Sequence, residues 1–406
     1  MQNYIERSLE PVLRKAFSQF PAVVLTGPRQ SGKTTILQRL FGGRCRYVSL
    51  EPPDVQASAL HDPRSFLETC RPPAIFDEVQ YVPGLLPYIK EKIDANRHRT
   101  GQYLLTGSQN LLLMEKVTES LAGRAAMLRL LPLSRREAEG RPRLLLPWER
   151  SGHPASMPAY AFGGLWKNFI RGGYPELVSQ PERDVSLWHS SYIQTYLERD
   201  VRTLRQVGDL TRYQSFVRVL AARSAQLLNL TDVARDLGVA VNTVKAWLSV
   251  LEASYQVTVL RPYFANVGKR LVKRPKVYFT DTGTLCHLVG LRDPEHAASG
   301  PMGGAILETA VLSEIVRTLT HRGIEPRIYF WRTMAGTEID FVVETGGQMV
   351  PLEVKLSATP RRAMAGSIKT FRKDLKEAAL SGYLVHPGDV RLPLGSDVTT
   401  CPFADL

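Results

Sequence analysis

The sequence predicts an α/β chain: a parallel sheet first, then a helical middle segment, then a second and smaller α/β segment. Three observations carry that expectation. An apolar run at residues 22–25 leads through a glycine-bounded loop into a helical pattern. A second apolar run ends in paired acids, Asp77 and Glu78. Toward the C-terminus, residues 327–332, 339–343 and 349–356 alternate with a period of two around a Gly-Gly turn.

Residues 4–18 place Ile5, Leu9, Val12, Leu13 and Phe17 at helical spacing, a helix expected to lie beside the first strand. Ala-Val-Val-Leu at 22–25 suits a buried parallel strand. The loop that follows reads Gly27, Pro28, Arg29, Gln30, Ser31, Gly32, Lys33, Thr34, and Thr35 opens a helix. Glycine, four residues, then Gly-Lys-Thr between strand and helix is the P-loop pattern. Gly27 and Gly32 let the backbone turn its N–H groups toward phosphate oxygens, and the helix N-terminus adds positive dipole. Residues 27–35 are therefore the expected ATP-binding set. Lys33 would reach the β- and γ-phosphates and Thr34 would ligate Mg²⁺.

Residues 46–50 read as a second strand, stopped by Pro52-Pro53. Pro-Ala-Ile-Phe-Asp-Glu at 73–78 is a short apolar strand ending in two acids. Such a strand carries Asp77 to the C-terminal sheet edge, where nucleotides sit. Asp77 would hold Mg²⁺ through water, and Glu78 would act as general base toward the attacking water. Another strand at 103–106 leads to Gly107-Ser108-Gln109-Asn110. Ser108, or failing it Gln109, is expected to touch the γ-phosphate, and Ser108 or Asn110 would also cap a helix. Arg124 precedes an apolar strand at 126–131 and is either a sensor or arginine finger, or a solvated surface residue. Together these elements resemble the AAA-type ATPases, P-loop proteins with an extra strand between the P-loop strand and the acid-ended strand. The resemblance implies a core parallel sheet with helices on both faces. A metabolite kinase is the rival, and no acceptor-site motif supports it.

Residues 139–164 are rich in Arg, Pro, Gly and Ser and read as an exposed connection or lid. Phe169-Ile-Arg-Gly-Gly-Tyr-Pro-Glu176 is a turn, and residues 188–207 run as a helix. Residues 229–253 read as a helix-turn-helix. Thr231 is the expected cap of the first helix, Gly238 the turn, and Asn242 or Thr243 the start of the second. Strand-like runs at 257–260 and 276–280 flank the basic loop 268–274, which completes the outline of a winged helix. Its second helix can enter a major groove while the wing meets phosphate. Lys245, Lys269, Arg270, Lys273 and Arg274 are the candidate DNA contacts.

An amphipathic helix at 307–316 begins the last third. Asp340, then Glu353 with Lys355 two residues on, fall on neighbouring strands of a hairpin. The period of two puts Glu353 and Lys355 on one face. This arrangement resembles the PD-(D/E)XK nuclease core. The resemblance implies that Asp340 and Glu353 hold Mg²⁺, that Lys355 orients or activates water, and that Glu308 completes the site from the preceding helix. The family's proline is absent, since Ile339 stands before Asp340. The bland reading is a hairpin with a structural salt bridge.

The order of parts resembles a known group in which a AAA ATPase is followed by a winged helix and a DUF4143 domain ending in a nuclease-like hairpin. The matching stretches are Gly-Pro-Arg-Gln-Ser-Gly-Lys-Thr at 27, Phe-Asp-Glu-Val-Gln at 76, Leu-Thr-Gly-Ser-Gln at 105, Gly-Gly-Tyr-Pro-Glu at 172, Tyr-Leu-Glu-Arg-Asp at 196 and Leu-Glu-Val-Lys at 352. The expected division is a AAA-type ATPase domain at 1–165, a helical linker and winged helix at 166–295, and a restriction-endonuclease-like α/β domain at 296–406.

The chain of 406 residues carries a formal charge of +13, which favours a polyanion, nucleic acid before membrane. Four scattered cysteines without a Cys-x-x-Cys pair argue against a disulfide framework or zinc site. No apolar run approaches the roughly 20 residues of a membrane span, and the first residues lack the apolar core of a signal peptide. A cytoplasmic protein is expected. These observations converge on an ATP-dependent DNA-remodelling protein acting on duplex or branched DNA, Holliday junctions by analogy with junction resolvases. An ATP-gated nuclease and an ATP-switched regulator of a protein partner are the alternatives. A homo-oligomer is required only if Arg124 acts in trans.

Overall fold

A computed structural model describes residues 4–107, 120–150, 162–196, 209–263, 274–333, 335–375 and 378–406. The N-terminal half is built on a wholly parallel five-stranded sheet: β1 (Ala22–Thr26), β2 (Arg46–Ser49), β3 (Ala74–Asp77), β4 (Tyr103–Gly107) and β5 (Ala125–Arg129), in the order β2-β3-β4-β1-β5. β4 therefore lies between the P-loop strand β1 and the acid-ended strand β3, the inserted-strand arrangement that the resemblance implied. β1, β3 and β4 are buried along their whole length, which explains their unbroken apolar runs.

Alternation divides these strands between two cores. Ala22, Val24, Phe76 and Leu105 pack with Phe66, Leu86 and Ile89 from the helices Pro63–Thr69 and Leu86–Ala95. Val23, Leu25, Ile75 and Leu104 pack with Leu13, Ile36 and Leu37 from Glu10–Gln19 and Lys33–Phe41. Parallel register brings Thr26, Gly107 and Arg129 level with one another. The P-loop and Asp77 consequently leave the sheet at the same edge.

The middle segment contains the helices Leu210–Ala222, Leu230–Leu237 and Val241–Ala253, followed by the antiparallel pair β6 (Val257–Leu260) and β7 (Lys276–Phe279). Trp247 of the third helix sits between Tyr213 and Phe216 of the first, at ring-centroid distances of 5.5 Å. Two caps differ from expectation. Asn229 rather than Thr231 caps the second helix, its side chain accepting the Thr231 N–H at 3.2 Å. The third helix starts at Val241, one turn residue earlier than Asn242. Both shifts follow from Asn competing well for an N-cap and from the tolerance of helix starts.

The C-terminal segment is a long helix, Gly303–His321, against a mixed sheet in the order β12-β11-β10-β9-β8: β8 (Ile328–Arg332), β9 (Glu338–Thr345), β10 (Gln348–Val354), β11 (Gly382–His386) and β12 (Val398–Pro402). One continuous apolar core runs from Leu146 through the middle segment to Leu406, so no gap in packing falls at 295/296. The reading of 139–164 as an exposed connection is corrected over its described part. Leu146 is fully buried in that core, Arg150 donates to the Asp405 carbonyl at 2.9 Å, and Glu149 pairs with Arg322 at 2.6 Å. Residues 151–161 lie outside the described residues.

The Gly-Gly-Tyr-Pro-Glu stretch is the junction of all three segments. Leu133 N–H donates to the Gly173 carbonyl at 2.7 Å, and Gly173 N–H donates to Asp281 at 2.7 Å. Arg317 of the long helix bonds Leu133 O at 2.9 Å, Thr280 O at 2.7 Å and Asp281 at 3.1 Å. Gly172 has φ +80°, and a Cβ there would stand 2.4 Å from Asp281 Oδ1. Only glycine fits that backbone.

Candidate functional site

The P-loop wraps the C-terminal end of β1. Gly27 has φ +149°, and a Cβ on it would meet Leu130 O at 2.1 Å, so any side chain would force the loop off the sheet. Lys33 is 5% exposed, and its ammonium donates to the carbonyls of Gly27 at 3.1 Å and Pro28 at 2.9 Å. Both partners lie on the loop that the lysine closes. Ser31 is fully buried and its Oγ has no hydrogen-bond partner. A buried orphan hydroxyl inside a glycine-bounded cradle is the kind of group that a phosphate oxygen would satisfy. A Cβ on Gly32 would make only ordinary contact with Arg7 and Pro175, at 3.8 and 3.9 Å, but its φ of +92° favours glycine.

Asp77, 5% exposed at the end of β3, collects three hydroxyls. Thr34 donates to its carboxylate at 2.8 and 3.1 Å, Tyr47 donates at 2.8 Å, and Thr106 donates to Oδ1. Burial, with Asp77 close by, pushes the Tyr47 phenol well above its ordinary value. Glu78 takes the left-handed backbone region at φ 58°, uncommon for a residue with a side chain. Its N–H donates to Thr106 Oγ1 at 3.1 Å, and Gln80 donates to its carboxylate. Thr106 thus ties the two acids together. It and Tyr47 were not singled out from sequence. Strand alternation gives each residue a face, but not which neighbouring strand end lies beside it.

Two further contacts reach this edge from outside the sheet. Arg7, 4% exposed, donates to Ser31 O at 2.8 Å and Leu131 O at 2.6 Å, and its Nε lies 3.3 Å from Glu137. Glu137 also accepts Ser8 N–H at 2.7 Å and faces His321 Nδ1 at 3.1 Å. Burial works against the charge of Glu137, but Arg7 beside it holds the carboxyl well below the usual range. Tyr255, just past the Val241–Ala253 helix, places its hydroxyl 3.1 Å from that of Thr26, the residue before the P-loop.

Ser108 and Gln109 lie outside the described residues. Arg124 is a correction. It sits at the start of β5 beside Ala22, at the sheet edge opposite the P-loop, and makes a two-pronged pair with Asp94 at 2.6 and 3.0 Å. Five residues of strand, about 16 Å, separate it from the loop of its own chain, so it is not a sensor of that site. Lys245 and Arg274 are exposed, whereas Lys269, Arg270 and Lys273 lie outside the described residues.

The C-terminal acids Glu308, Asp340 and Glu353 do come together. Asp340 accepts Val354 N–H at 2.8 Å, Glu353 takes the Lys355 ammonium at 2.5 Å, and Glu308 accepts the Tyr278 hydroxyl at 3.1 Å. Burial raises all three carboxyls, Glu308 to about 8 and Glu353 to about 7. Among the described residues no group of three or more His, Cys, Asp or Glu is disposed to hold a metal ion. Each of these acids thus has a protein donor where the Mg²⁺ expected at Asp340 and Glu353 would sit, while Glu353 Oε2 is buried without a hydrogen-bond partner.

The four cysteines are free and buried. Among the described residues no helix is long and apolar enough to cross a membrane. The family described as "AAA domain" matches residues 19–139, a domain of unknown function (DUF8612) matches 164–295, and another (DUF4143) matches 303–406. The uncharacterized proteins Mb2031c of Mycobacterium bovis and Rv2008c of Mycobacterium tuberculosis are each 33% identical over 395 residues, covering 96% of this chain and 82% of theirs. Among solved structures, the Walker-type ATPase PABY2304 of Pyrococcus abyssi aligns at a TM-score of 0.43 and 16% identity, over 70% of this chain and 96% of that one. The chain belongs to the family of these mycobacterial proteins, a AAA-type P-loop ATPase with a C-terminal DUF4143 module.

Proposed function

We propose that this ATPase is a DNA-binding and remodelling protein that acts on duplex or branched DNA, with four-way junctions as the favoured substrate. Its nucleotide pocket would drive the winged helix and the C-terminal module behind it. The observation that carries the reading is the Thr26–Tyr255 contact, which joins the strand feeding the P-loop to the end of the candidate recognition helix. A change in the loop on hydrolysis would be felt there first. The charge of +13 and the exposed Lys245 and Arg274 support a polyanionic partner.

In the pocket, Lys33 would release its own loop carbonyls to grip the β- and γ-phosphates, with the backbone of residues 27–35 around them. Thr34 and Asp77, adjacent oxygen donors, fit Mg²⁺ and would hold it. The ion would supply charge neutralisation on the phosphates. Glu78, held in its unusual backbone by Thr106 and Gln80, would orient the attacking water and take its proton. Ser108 or Gln109 would meet the γ-phosphate from the end of β4.

The test compares ATP turnover with no DNA, with linear duplex and with a four-way junction, using Lys33→Ala as the blank. Turnover should rise with DNA, most with the junction, and Lys33→Ala should lose at least about 100-fold. Turnover indifferent to every DNA would remove the DNA reading and favour an ATP-switched regulator of a protein partner.

A further inference from the structure

The C-terminal acids stand where a nuclease of this architecture would grip a divalent ion, and a side chain from the middle segment stands among them. Lys276 opens β7, the strand into which the basic loop 268–274 runs. It is 5% exposed. Its ammonium pairs with Glu338, lies 3.9 Å from Glu308 Oε2 and rests 5.7 Å from the centroid of the Phe330 ring. Tyr278, two residues on and so on the same strand face, donates to Glu308 from beside it. Lys355 takes Glu353, and the Val354 N–H takes Asp340.

We infer that Lys276 is the resident cation of this pocket, and that it clamps the β6–β7 pair to the C-terminal sheet where a nuclease would hold its metal. A divalent ion such as Mg²⁺ is held through one or two carboxylates, with waters filling the rest of about six positions at about 2.1 Å. Here the carboxyl groups already face two ammonium groups, a phenol and a backbone N–H, and of their oxygens Glu353 Oε2 is buried without a hydrogen-bond partner. The buried positive charge of Lys276 also repels a second cation at close range. Such a pocket needs its lysine: once Lys276 is removed, the part-buried Glu338 and Glu308 facing it lose their counter-charge, which is more costly than never burying them. The module thus serves as a fixed clamp on the strand that leaves the candidate wing, and it does not cut DNA.

The experiment uses the full chain without nucleotide, so it is independent of the ATPase reading. Bound Mn²⁺ is counted by the loss of the free-ion signal in electron paramagnetic resonance, for the natural protein and for Asp340→Asn, which keeps an acceptor for Val354. The two should bind equal amounts, and neither should nick supercoiled plasmid in Mn²⁺. Lys276→Met should unfold several degrees below the natural protein, while Lys245→Met, at an exposed lysine, should not. One Mn²⁺ more in the natural protein than in Asp340→Asn, or nicking that Asp340→Asn abolishes, overturns the inference. So does a Lys276→Met protein as stable as its parent. If that variant does not fold, the Mn²⁺ count and the nicking assay decide by themselves.

Discussion

At the scale of single residues, Thr106 makes the most specific claim. Its hydroxyl donates to Asp77 and accepts from the N–H of Glu78, so it aligns both acids. Thr106→Val should lower ATP turnover by about 10–100-fold, as loss of an orienting partner behind a ligand does, while Thr106→Ser should retain most of it. Equal rates for threonine and valine would contradict the role. His321 makes a second claim, about pH. It is fully buried, with Nε2 accepting Leu131 N–H at 3.1 Å and Nδ1 facing Glu137. Burial lowers its pKa below the ordinary value, and Glu137 only partly opposes this. The unfolded chain, titrating near 6.5, therefore takes up the proton first. Its contribution is present above about pH 6.5 and is lost as pH falls. Glu308 and Glu353, raised to about 8 and about 7, act in the opposite sense over the same range, so His321 is read from a difference: the margin in melting temperature between the natural protein and His321→Gln should hold between about pH 7 and 8 and shrink below about 6.5. A margin that stays constant or widens on acidification through this window would contradict the assignment.

At the scale of elements, the glycines at the three-way junction are the sharpest probe. Gly172→Ala would place a methyl group 2.4 Å from Asp281 Oδ1 on a backbone of φ +80°, costing about 2–4 kcal/mol. Gly163→Ala, on a helix with nothing within 4 Å of the added atom, should be neutral or slightly stabilising. Denaturant midpoints for the two variants check this, and equal midpoints would contradict the junction's tightness. Elements also set what could be read in advance. The P-loop, the acid at the end of β3 and the strand of Tyr103 and Leu104 were legible, because a local pattern of apolar run plus special residues specifies them. Arg124 was not. Its role depended on which end of β5 it occupies and on finding Asp94, a residue 30 positions away. Lys276 was missed for the same reason: its partners, Glu308 and Glu338, come from two other elements far along the chain. The pattern Asp340, Glu353, Lys355 predicted their proximity but not that Lys276 would stand among the acids.

At the scale of the whole molecule, the account concerns transmission. Arg7 reaches from the N-terminal segment to Ser31 of the P-loop and to Leu131, and Glu137 and His321 pass that linkage to the long C-terminal helix. Tyr255 makes a separate connection from Thr26 to the middle segment. Such contacts couple sites only if the nucleotide changes them, so the coupling is open to direct test. Tyr255→Phe removes the hydroxyl that meets Thr26 and leaves the ring in place. Turnover of this variant and of the natural protein is to be measured with and without a four-way junction. The account predicts that the junction accelerates the natural protein and not the variant, while both turn over alike without DNA. A variant accelerated as fully as its parent would contradict it.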